Sequence, residues 1–158
     1  MTGVNGTIAL LQNLASTVTG IRYAPQVGYP SSLDTAKLPA VLTFASSATT
    51  TPISNRVTPT STSFRKIQRD YLLTCFVDVL GQATSRIRMD LTIELLDAMN
   101  NLIVPNRHLA DNVRILQTKD SGVMTGADIA YGNADNLVYN GQPYTGFVMT
   151  ITVIELTV

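Results

Sequence analysis

The sequence predicts an α+β fold: a mostly antiparallel sheet of about four long strands, two helices packed on one face, and a long polar hairpin arm. Three observations lead there. Two stretches, one in the first twenty residues and one near Ala83–Leu102, repeat apolar residues at helical spacing. Two others, Phe64–Leu80 and Tyr144–Thr157, alternate as strands do. The elements follow in the order helix, strand, strand, helix, strand, strand. At 158 residues the chain fits a single domain, 1–158, large enough to bury a core without staples.

In the first helix, Ile8, Leu11, Leu14, Ala15 and Val18 form one stripe, Asn5 or Thr2 serves as the cap, and Gly20 as the stop. Pro25, Pro30 and Pro39 then forbid regular structure over Ile21–Ala40, before a short strand at about Leu38–Ala45. Eleven of the eighteen residues from Ser46 to Ser63 are Ser or Thr, with one charge, Arg56. A structureless loop of that length is unusual inside a compact domain, and the β-branched threonines suit an extended arm over 46–63.

Phe64–Leu80 is the clearest strand. From Tyr71 onward its odd positions are apolar, while Asp70, Thr74 and Asp78 fall on the other side. The second helix carries Ile87, Leu91, Leu95, Ala98, Met99 and Leu102 on its stripe, with Asp90, Glu94 and Asp97 outside. Asn112–Gly122 is expected as a third strand, with a short edge strand near Ala127–Tyr131. The closing strand puts Phe147, Met149, Ile151 and Val153 toward the helices and Val148, Thr150, Thr152 and Ile154 on the other face. That second face lacks the lysines and prolines that blunt an exposed strand, so a neighbouring subunit is expected to cover it.

Charge is sparse, at 14% of residues, and balances to zero. The balance conceals an asymmetry: residues 1–69 hold six basic groups against Asp34, whereas residues 70–158 hold five basic against ten acidic groups. Opposite patches of this kind can meet head to tail in a ring. No helix-length apolar run points to a membrane span, and one cysteine rules out an internal disulfide framework, so a soluble protein of a reducing cytoplasm is expected.

Catalytic and cofactor chemistry is poorly supplied. His108 is the only histidine, and Cys75 sits on the apolar face of its strand, where a thiol stays inert. Neither a zinc set nor a phosphate-cradling glycine loop can be assembled, and Asp120, Asp128 and Asp135 are too widely spaced for a calcium loop. No enzyme, metal or cofactor is expected. The candidate contact residues are Arg56, Arg65, Lys66 and Arg69, with Val148, Thr150, Thr152 and Ile154 on the last strand.

Several stretches together resemble the tail terminator (tail completion) proteins of long-tailed bacteriophages. They are TGIRYAP at Thr19–Pro25, YP at Tyr29–Pro30, KLPAVLTF at Lys37–Phe44, DYLLTCFVDV at Asp70–Val79 and YNGQPYTGFVMTITVIE at Tyr139–Glu155. The resemblance spans nearly the whole chain as element order and local character. It implies a ring, commonly a hexamer, that caps the tail tube, stops its polymerisation, and offers a docking surface to the head connector or stopper. The implied partners are further copies of the chain, the tail tube protein and the connector or stopper. DNA would pass through the lumen without sequence-specific binding. The implied location is the virion neck after assembly in the host cytoplasm, and the family has no catalytic residues to carry over. Another neck protein, or a small ligand-binding α+β domain with a convergent polar pocket, are the competing readings.

Overall fold

The computed structural model describes residues 3–52, 65–79, 85–122 and 137–157. It contains two helices, α1 (Gly3–Ser16) and α2 (Ser85–Ile103), and six strands: β1 (Ala40–Pro52), β2 (Arg65–Val79), β3 (His108–Ala110), β4 (Val113–Asp120), β5 (Leu137–Tyr139) and β6 (Gln142–Thr157). The sheet order is β1-β2-β6-β4-β3, with β5 paired to the start of β6, and every pairing is antiparallel. The α+β class holds, with six strands among the described residues where about four long ones are expected. The two extra strands, β3 and β5, have three residues each, too short to show an alternation pattern.

Both helices lie on one face, because the two periodicities meet there. Leu11 and Ala15 of α1 and Leu95, Met99 and Ile103 of α2 pack with Tyr71, Leu73, Cys75 and Val77 of β2 and Phe147, Met149, Ile151 and Val153 of β6. Each of these side chains is essentially removed from water, which makes this layer the main source of stability. Gly146 lets the two central strands approach: a Cβ there would lie 1.8 Å from the Cys75 carbonyl oxygen.

The ends of α1 differ from expectation. The helix stops at Ser16, and Thr17 and Val18 close it with i→i−3 backbone bonds to Leu14 and Ala15. Asn5 lies inside the helix rather than capping it, and Thr2, the other expected cap, lies outside the described residues. The amide of Gly3 instead donates to the carboxylate of Glu155, 3.0 Å away and 152 residues distant in sequence. That half-exposed helix start thereby gains an acceptor and a negative charge, the combination a helix N-terminus favours.

The Ser/Thr-rich stretch begins as a continuation of β1. After an irregularity between Ala45 and Ala48, Thr49, Thr50, Thr51 and Pro52 pair with Gln68, Ile67, Lys66 and Arg65. Residues 53–63 of the predicted arm and the predicted edge strand at 127–131 lie outside the described residues. The proline-rich stretch 21–39 is irregular, as its prolines require, apart from a parallel bridge from Tyr23 to Ala40.

Candidate assembly surface

The face of the sheet opposite the helices divides into two halves. In one half, Ala40 and Leu42 of β1, Phe76 of β2 and Tyr144 of β6 pack with Leu33, Leu38 and Leu137 in a second buried cluster. The irregular segment before β1 is held over it by side-chain hydroxyls and an amide. Tyr144 Oη donates to Leu33 O at 2.9 Å and Tyr29 Oη to Thr43 O at 2.6 Å, while Tyr139 Oη donates to Pro30 O and Asn140 Nδ2 to Ser31 O. Phe76 meets the Tyr144 ring edge-on at 5.2 Å, and Tyr29 stacks on Phe44 at 5.1 Å. Burial pushes the Tyr144 and Tyr29 phenols above their ordinary range, since the charged form would lose water on this surface.

This changes the expectation for the last strand. Val148, predicted at a subunit contact, packs against the second cluster of its own chain. Nor does β6 need the devices of an exposed strand. It is an inner strand, paired with β2 from Tyr144 to Thr157 on one side and, on the other, with β5 over Gln142–Tyr144 and with β4 over Met149–Glu155. Thr152, also predicted at a contact, is only 6% exposed, and its Oγ1 donates to Asp70 Oδ1 at 2.8 Å. Sheet neighbours on both sides enclose it.

The other half of this face is the more open one among the described residues. Across three strands its rows are Gln68–Ile154–Arg114, Asp70–Thr152–Gln117 and Leu72–Thr150–Lys119, with Lys66 beside Leu156. Thr150 and Ile154 are half-buried and Leu156 is 44% exposed. Arg114 and Lys119 are exposed and Lys66 is half-buried, and none of the three forms an ion pair with another described residue. Among the described residues the half-face thus holds three cations against one carboxylate, Asp70, which already accepts a hydrogen bond. Arg114 and Lys119 had no signal in the sequence as partners of β6, because nothing local shows that β4 lies beside it.

The basic cluster predicted at the start of β2 is not one patch. Strand alternation puts Lys66 on the open face and Arg69 on the side of Tyr71. Arg69 Nη1 reaches Ser46 O at 3.4 Å, beside the irregularity in β1. Arg56 and the side chain of Arg65 lie outside the described residues.

A cavity of about 280 Å³ opens between α1 and the 25–29 loop, lined by Ile8, Ala9, Gln12, Pro25, Val27 and Thr43 among others. Its central polar group is already engaged. Gln12 Nε2 donates to Val41 O at 2.7 Å and to Pro25 O at 3.0 Å, and its Oε1 accepts from Thr43 Oγ1 at 2.7 Å. Gln12 therefore pins the loop and the edge strand to the helix. Cys75 is fully buried, and desolvation pushes its thiol far above the ordinary range. His108 lies exposed on β3. Among the described residues no three of His, Cys, Asp and Glu gather as a metal site. Also among them, no helix is long and apolar enough to cross a membrane.

A scan against protein-family models finds no match to this chain, and a search of curated proteins finds none either.

Proposed function

We propose that this chain is a structural, non-catalytic subunit of the head–tail junction of a long-tailed bacteriophage. In this reading it forms a ring that caps the tail tube, stops its growth, and presents a surface to the head connector or stopper. The observation that carries the reading is the open half of the sheet. A half-buried Thr/Ile strip framed by charges that have no ion-pair partner among the described residues suits a protein contact better than a reaction centre. Two further points support it. The resemblance in the sequence spans nearly the whole chain, and the cavity beside α1 has the amide of Gln12 engaged in structural bonds.

Light scattering over a concentration series, with and without purified tail tubes, tests this. Six copies of 17.0 kDa give a particle of about 102 kDa, with end-on rings in negative stain. Binding to tube ends separates a terminator from a connector or stopper, which would bind the head portal complex instead. A species that stays monomeric in both conditions refutes the proposal.

A further inference from the structure

The open half-face and the outer surface of α2 are opposite in charge, and the sheet lies between them. On α2, Asp90, Glu94 and Asp97 are exposed along one stripe around Ile93, itself 47% exposed. On the far side of the sheet, Lys66 lies beside Leu156, Arg114 beside Ile154 and Lys119 beside Thr150. Because Leu95, Met99 and Ile103 root α2 on the other sheet face, the acids and the cations cannot neutralise each other within one chain. Asp90 to Asp97 spans about 10 Å along a helix. Lys66 and Arg114 lie on strands two spacings, about 10 Å, apart, and Lys119 lies about 13 Å further along β4.

We infer that the acidic stripe of α2 on one copy docks on the Lys66–Arg114–Lys119 half-face of the next, with Ile93 seated on Ile154 and Leu156. The contact joins two different surfaces of the same chain. It is therefore heterologous and repeats head to tail, which is the type of contact that closes a ring. Each side has an apolar centre within a charged rim, so the centre supplies burial while the rim selects the partner and its orientation. This inference rests on the ring reading and names the surfaces that make the ring.

The test is charge reversal followed by sedimentation velocity at low and high salt. One variant carries Lys66→Glu, Arg114→Glu and Lys119→Glu; the other carries Asp90→Lys, Glu94→Lys and Asp97→Lys. Each alone is expected to weaken self-association by about tenfold or more, and wild-type association is expected to weaken as salt rises. Mixing the two variants restores assembly, because each then offers the charge the other needs. If the triple variant on the sheet melts without cooperativity, Lys119→Glu alone, at an exposed position, replaces it. Wild-type rings with reversed variants that assemble equally well overturn this inference and leave the ring proposal standing. A wild type that never associates overturns both. Loss of binding to a short DNA duplex in the sheet variant, with self-association intact, assigns the cations to nucleic acid and also overturns it.

Discussion

Replacing Gln12 separates a structural pin from a ligand-binding group. The side chain is buried and makes three hydrogen bonds, at 2.7, 3.0 and 2.7 Å, to Val41 O, Pro25 O and Thr43 Oγ1. In Gln12→Ala all three vanish, and Thr43, itself fully buried, loses its acceptor. A neutral hydrogen bond nets about 1 kcal/mol, and stranding a buried polar group costs about 1–3 kcal/mol, so the expected loss is about 3–6 kcal/mol. For a chain of this size each kcal/mol lowers the melting temperature by about 2–4 °C, which predicts a fall of at least about 6 °C. Gln12→Glu sharpens the test. A carboxylate keeps the Thr43 bond but faces the carbonyls of Val41 and Pro25 with no proton to give. That environment raises the carboxyl's folded pKa above the unfolded value. The stability of this variant is therefore fullest below the ordinary Glu value of about 4.3 and is lost as pH rises through the raised folded value. Thermal melts across pH 3–8, referenced to wild type, read both effects. A Gln12→Ala protein that melts within about 2 °C of wild type would refute the pin and return the cavity to candidacy as a binding site.

Gly146→Ala is expected to abolish cooperative folding or cost more than about 4 kcal/mol, because the new methyl collides with the Cys75 backbone rather than with a side chain that can turn away; chemical denaturation measures it. Glu155→Gln keeps an acceptor for the Gly3 amide but removes the charge from the helix start, for a loss of about 0.3–1 kcal/mol, whereas Glu155→Ala loses about 1–3 kcal/mol. A Glu155→Gln protein as stable as wild type would show that the charge plays no part. Burial raises the phenols of Tyr71 and Tyr144 above their ordinary 10.0. Their contribution to stability is complete below pH 10 and is lost as pH rises through the higher folded values. Melting temperature should therefore drop on the alkaline side, and Tyr144→Phe should make that drop shallower; an unchanged alkaline limb in the variant contradicts the assignment.

The sequence by itself determined the elements whose pattern is periodic. The stripe from Ile8 through Ala15, the alternation from Tyr71 to Val77 and the alternation from Phe147 to Val153 each announce one buried face, and those faces meet in one core. Periodicity says which side of an element is apolar. It does not say which strand lies beside which, and that is what only the tertiary structure decided. Placing β6 between β2 and β4 explains why a strand with one charge needs no edge protection, and it brings Arg114 and Lys119 beside Ile154 and Thr150. The same placement buries Thr152 against Asp70. Alternation in β2 splits Lys66 from Arg69, although the two are three residues apart in the chain. The cover over half of the second face comes from residues 29–38, whose prolines announce only irregularity. Their partners are hydroxyls and an amide more than 100 residues away on Tyr139, Asn140 and Tyr144, and contacts at that sequence distance leave no local pattern to read.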